Sequence, residues 1–217
     1  MEIIKKFIPV NHPNRPGRKL DSMLAVIVHF TGNDSPGATD TMNADWFSRP
    51  FKVGKDGKPL ETDGSPFGYG SAQFIVDEDS TTQVLPINEV AWGCGDRPLP
   101  WTELDKGQQP AARKIFQNRQ NSRTISVEIC NNGNWKGACE RASELIVWIF
   151  QQHGFTVDVS ASVVPDVSGP PEPGKAYILR HHDVTGKNCP ASFVADRPAW
   201  LYFVSQIAGK VNFKEPV

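Results

Sequence analysis

The 217-residue sequence predicts a single α/β domain, with helices flanking a central mixed β-sheet. Three observations carry that prediction. Residues 24–30, Leu-Ala-Val-Ile-Val-His-Phe, form a nearly uninterrupted apolar and β-branched run, the pattern of a strand buried on both faces. Residues 124–130 alternate instead, with Ile125, Val127 and Ile129 on one face and Ser126, Glu128 and Cys130 on the other. From about 137 to 153, Ala138, Ala142, Leu145, Ile146 and Ile149 recur at helical spacing, which gives the longest helix one apolar stripe.

Residues 1–22, punctuated by Pro9, Pro13 and Pro16, are expected to be an extended lead-in to a domain spanning 23–209, with a short tail at 210–217. The strand at 24–30 gives way to the turn signal Thr31-Gly32-Asn33-Asp34, so His29 falls at its carboxyl end, where a loop opens. Residues 34–70 are rich in Gly, Pro, Asp and Lys, with a short helix around 43–47. Strands at 72–76 and 82–85 flank a turn at 77–80. A surface excursion at 93–123, with a helix at 110–117, precedes the alternating strand. Gly154 is expected to cap the long helix, and 157–173 to form a loop. A short strand at 176–179 then leads into Arg180-His181-His182-Asp183. The last helix is expected to start at Asp196 as N-cap, with Pro198 in its first turn, and to end near 207. Trp46, Trp135, Trp148 and Trp200 are expected to be packing residues.

Composition excludes several function classes. A net charge of -1 offers no electrostatic footprint for nucleic acid. The basic residues Lys5, Lys6, Arg15, Arg18 and Lys19 cluster, but Pro13 and Pro16 break any basic helix. No run approaches the roughly 18 apolar residues that span a bilayer, so no membrane insertion is expected. The amino terminus lacks the long apolar core and small-residue cleavage site of a secretion signal, which implies synthesis in the cytoplasm. Four cysteines without a CxxC pair point to free thiols or a metal ligand rather than a disulfide framework.

The densest chemistry lies between Arg180 and Pro190. Two imidazoles, a carboxylate, an ammonium and a thiol (His181, His182, Asp183, Lys187, Cys189) stand within eleven residues of turn-rich sequence. Imidazole and thiolate are the usual zinc ligands, and a catalytic zinc takes three from the protein and keeps a fourth position open. This stretch can supply one His and one Cys, so a third ligand must come from elsewhere.

Three segments together, Val26-Ile27-Val28-His29-Phe30-Thr31-Gly32, Ser126-Val127-Glu128-Ile129 and His181-x-Asp-Val-Thr-Gly-Lys187-x-Cys189-Pro190, resemble the type 2 N-acetylmuramoyl-L-alanine amidases. That family includes phage endolysins and, more distantly, the peptidoglycan-recognition proteins. The resemblance covers about 22–207 and implies the fold of that family. It implies Zn2+ held by His29, His181 and Cys189. His181 is selected over His182 because Lys187 and Cys189 then fall six and eight residues later. It implies Glu128 as the general base and Lys187 as the group that meets the developing oxyanion. Asp183 or a backbone carbonyl would orient a ligating imidazole through its second nitrogen. The implied partner is bacterial peptidoglycan and the implied reaction is cleavage of the bond between N-acetylmuramic acid and L-alanine. A phage or prophage endolysin would leave the cytoplasm through a holin; a monomer is favoured.

The sequence departs from the family at two places. Gln73 stands in Ser71-Ala72-Gln73-Phe74 where many members have histidine. Gly93 follows Trp92 where histidine is again common. Gln73, Trp92 and Trp101 are the expected substrate contacts, and Cys94 is expected near the mouth of the site. His12, His153 and His182 carry no expected role at the metal. Two other readings remain open on residue types: a metal-free module that only binds muropeptide, and a thiol hydrolase pairing Cys189 with a histidine.

Overall fold

In a computed structural model, which describes residues 1–95, 115–117, 119–159 and 169–212, the chain folds around a seven-stranded mixed sheet. The strands are β1 (Ile4–Lys5), β2 (Ala25–Phe30), β5 (Phe74–Val76), β6 (Thr81–Gln83), β7 (Thr124–Ile129), β8 (Thr156–Val157) and β9 (Lys175–Arg180), in the order β1-β6-β5-β7-β2-β9-β8. Strands β3 (Lys52–Val53) and β4 (Pro59–Leu60) form a separate hairpin. Strand β2 lies between β7 and β9 and runs parallel to both; β6 alone pairs antiparallel, with β5. The apolar run at the sheet centre is explained by that position: Ala25, Val26, Ile27 and Val28 have no exposed surface because both faces are covered.

The helices are α1 (Asp40–Phe47), α2 (Trp135–His153), α3 (His181–Thr185), α4 (Ala191–Ala195) and α5 (Arg197–Asn212). Helices α2 and α5 cover one face. Leu145, Ile146, Ile149, Trp200, Phe203 and Ile207 pack on Val26, Val28, Ile125 and Val127, each fully buried large side chain contributing about 1.5–3 kcal/mol. Trp135, Phe193 and Trp200 pack with tilted rings along this layer, and Trp148 meets Phe74 edge-on, so these three tryptophans are packing residues as expected. The other face is only partly covered. Helix α1 packs there over Ile75 and Val84, while Ala25, Ile27 and Leu179 meet Val184 of α3 and Ile115 and Phe116.

The helix ends follow local chemistry. Helix α2 begins two residues earlier than its apolar stripe suggests, because the Asn134 side chain accepts from the Gly137 N–H at 3.0 Å. It ends at Gly154, whose φ of 66° is the left-handed conformation of a C-cap glycine. Asp196 Oδ1 accepts from Ala199 N–H at the start of α5, as expected. That helix does not stop near 207; it runs through Gly209 to Asn212. Val211 is buried there, and the Asn212 amide bonds both backbone groups of Val157 at 2.8 and 3.1 Å. These contacts outweigh the roughly 1 kcal/mol that an internal glycine costs a helix. Residues 213–217, and most of the expected helix at 110–117, lie outside the described residues.

Residues 1–22 are fastened to the sheet and turn twice, with His12 N–H bonded to the Pro9 carbonyl and Arg15 N–H to the His12 carbonyl. Strand β1 pairs with β6, Ile8 and Asn14 have no exposed surface, and Arg15 grips Glu89 with two hydrogen bonds of 2.8 and 2.9 Å. His12 is buried; its Nδ1 accepts from Asn14 N–H and its Nε2–H donates to the Arg49 carbonyl.

Candidate metal centre and groove

In an open α/β sheet, ligands gather beyond the carboxyl ends of parallel strands. Here β2, β7 and β9 end at one edge. The parallel register sets His29 opposite Glu128, and Val28 opposite Arg180, so His181 follows β9 level with His29, one residue before β2 ends. His29 shares the face of Ala25 and Ile27, and Glu128 that of Ser126, which is the face α2 and α5 leave open.

His181 is the first residue of α3, a short helix where the sequence suggested a loop. Arg180 and Asp183 make that turn: the Arg180 N–H donates to Asp183 Oδ2 at 2.8 Å, and its guanidinium binds Asp183 Oδ1 at 2.6 Å. Asp183 is thereby occupied, and the expectation that it orients a ligating imidazole is corrected. His182 N–H donates to the Cys189 carbonyl at 2.8 Å, and its ring Nδ1 lies 3.1 Å from the Lys187 carbonyl. The neighbouring histidine thus folds the 181–189 loop instead of entering the site.

The result is a buried triad of donors. His29 Nδ1 and His181 Nδ1 are 3.1 Å apart, and with the Cys189 sulfur all three ligand atoms lie within 4.8 Å of one another. The 3.1 Å separation is close to an edge of a coordination tetrahedron about 2 Å in radius. Burial, with His181 and Lys187 nearby, holds His29 well below its ordinary pKa; burial, with Lys187, brings His181 down to about 4. Both imidazoles are therefore neutral at pH 7, as metal ligation requires. Burial and then Glu128 push the Cys189 thiol up to about 12, against a hydrogen bond from the Phe30 backbone. Two neutral nitrogens and one sulfur, on buried residues that line a groove, form a donor set that fits zinc.

Glu128 stands beside the triad. Burial raises its carboxyl to about 8, against the opposing charge of Lys187, and its buried Oε2 has no hydrogen-bond partner among the described residues. A desolvated, unpartnered carboxyl group beside these donors can exchange a proton with whatever occupies the groove. Lys187 is exposed and lines the same groove of about 420 Å³, with Phe30, Asn43, Ser71, Trp92 and Gly93 among its other walls.

The expected substrate contacts fare unequally. Trp92 lines the groove, but its indole N–H donates to the Pro13 carbonyl at 3.0 Å, leaving only ring surface for a ligand. Gln73 is a correction. It has no exposed surface: its amide donates to the Glu89 carbonyl and accepts from the Ser126 N–H, both at 2.7 Å. It ties β7 to the loop that follows β6 and is not among the residues lining the groove. Gln73→Ala is expected to leave both backbone groups unsatisfied, costing about 2–4 kcal/mol and lowering the denaturant midpoint. Trp101 lies outside the described residues. Trp46, expected as packing, is instead 52% exposed on the groove rim, its ring stacked 4.0 Å from the Arg49 guanidinium. Tyr69 joins it there, 58% exposed. A tryptophan in a helix with no apolar stripe is the one signal that would have marked this rim.

A sequence model of the N-acetylmuramoyl-L-alanine amidases matches residues 19–192. The chain belongs to this family. Among amidase relatives, CwlL of Bacillus licheniformis is 28% identical over 90% of this chain and 44% of its own length. BlyA of Bacillus subtilis (strain 168) is 26% identical over 96% of this chain and 47% of its own. The chain thus spans about half the length of the curated relatives it matches. In fold, this amidase-family chain resembles the catalytic domain of XlyA, with a TM-score of 0.61 and 23% identity over 94% of this chain and 99% of that one. It also resembles the PlyG catalytic domain, with a TM-score of 0.59 and 19% identity over the whole of both chains.

Proposed function

We propose that this chain hydrolyses the amide between N-acetylmuramic acid and L-alanine in bacterial peptidoglycan, as the zinc-dependent catalytic part of a phage or prophage endolysin. One observation carries the reading: His29, His181 and Cys189 converge within 4.8 Å at the end of a groove that also presents Glu128 and Lys187. The first three residues would hold the ion. Zinc bound there would supply Lewis acidity and lower the pKa of water toward about 7. Glu128 takes the proton from the attacking water and delivers it to the leaving alanine nitrogen. The Lys187 ammonium lies against the oxygen on which negative charge develops. The ring faces of Trp92 and Trp46 offer apolar surface to the muropeptide along the groove. The domain acts as a monomer, is made in the cytoplasm and reaches the wall through a holin.

A thiol mechanism at Cys189 is opposed by a thiol pushed up to about 12, since the thiolate is the nucleophile. Digestion of purified peptidoglycan, followed by mass spectrometry, tests the proposal. The expected products are intact glycan strands and free peptides beginning with L-alanine, abolished by chelator and restored by added zinc. Cleavage at any other bond would overturn the assignment. Tight wall binding without products would favour a recognition module of the same fold.

A further inference from the structure

The proposed zinc site has a neighbour outside its ligand set. With Nδ1 of His29 turned toward His181, the other ring nitrogen, Nε2, faces the Cys94 sulfur at 4.0 Å. Cys94 is 5% exposed and its segment is held from three sides. The Trp92 N–H donates to Ser71 Oγ at 3.0 Å, the Cys94 N–H donates to Asn121 Oδ1 at 2.8 Å, and Gly93 lies flat against β7 and β2. That last contact requires glycine: a Cβ at position 93 would overlap the Ser126 side chain and come within 3.6 Å of His29 Nε2. The loop is built to press residue 94 onto the back of the His29 ring.

We propose that Cys94 is a positioning residue for His29, its sulfur accepting the Nε2–H so that the imidazole holds the tautomer with Nδ1 free for the metal. The inference rests on the zinc reading for its purpose, though the tautomer itself exists without metal. A neutral imidazole carries one N–H, and the nitrogen that keeps it is set by the partner it finds. Among the described residues, Nε2 meets the Cys94 sulfur at sulfur hydrogen-bond range, with no Gly93 side chain to compete, and an N–H kept there lets His29 Nδ1 accept from His181 Nδ1 across their 3.1 Å contact.

Two measurements on Cys94→Ala and Cys94→Ser test this. Long-range 1H–15N NMR of the metal-free protein is expected to show His29 protonated at Nε2 in the parent, a mixture of tautomers in Cys94→Ala, and the parent pattern largely regained in Cys94→Ser. Competition with a chromophoric chelator is expected to show zinc affinity about tenfold weaker in Cys94→Ala. Cobalt substitution should give the same thiolate charge-transfer intensity in parent and variant. An unchanged tautomer in Cys94→Ala would overturn the proposal, whatever the metal data. Loss of charge-transfer intensity would overturn it too, by making Cys94 a ligand. A parent chain that binds no zinc but shows the expected tautomers would defeat the zinc reading and leave the positioning role intact.

Discussion

Glu128→Gln is expected to lower peptidoglycan turnover by about 10²–10⁴-fold while leaving zinc content unchanged. The amide keeps the volume of the carboxyl group but cannot take a proton from water. The same substitution carries a stability signature with a definite sign. In the metal-free protein, burial raises the Glu128 carboxyl to about 8, above its ordinary 4.5. Between those two values the folded state binds the more protons, so the parent loses stability as pH rises through this window. The glutamine variant has no such loss. Metal-free Glu128→Gln should therefore melt higher than the metal-free parent at pH 8, with the gap closing toward pH 5. Equal melting temperatures at both pH values would show that the carboxyl is not desolvated, and full turnover would remove it as the base.

His181→Ala is expected to abolish both metal binding and activity. The variant leaves His29 Nδ1 and the Cys189 sulfur, two donors where a catalytic zinc needs three. Equilibrium dialysis should fall from one zinc per chain to near none, and wall digestion should fall to background even with excess zinc. Thermal denaturation separates this from misfolding. Zinc should raise the melting temperature of the parent, because it binds only the folded state, and should leave that of the variant unmoved. The metal-free forms should melt close together, since His181 is held in place by α3 and is not part of the main core. A variant that still binds one zinc would show that another residue completes the site.

The parts of this architecture that were legible in the sequence are those where local pattern and tertiary role coincide. The run at 24–30 is apolar because β2 is central, and Glu128 alternates to the open face because β7 is covered on the other. His29, His181 and Cys189 were singled out by a motif, and the register of β2 against β9 brings them together. Other features depended on partners that no spacing announces. Gln73 looked like a groove residue because histidine is common at its position in the family; only the sheet shows Ser126 and Glu89 consuming its amide. Helix α5 outruns its glycine because Asn212 finds Val157, 55 residues away. Trp46 looked like packing because its exposure is decided by where α1 sits on β5, a long-range contact invisible in an eight-residue helix.

His29 and His181 are 152 residues apart, and Cys189 comes later still. A ribosome that has delivered β2 has made one donor, His29, and nothing to pair it with. Until β9 has docked beside β2 and residue 189 has followed, the three donors of the proposed metal site cannot meet. A product that stops short of residue 189 lacks the Cys189 donor, so the proposed activity is expected only in chains translated past that residue.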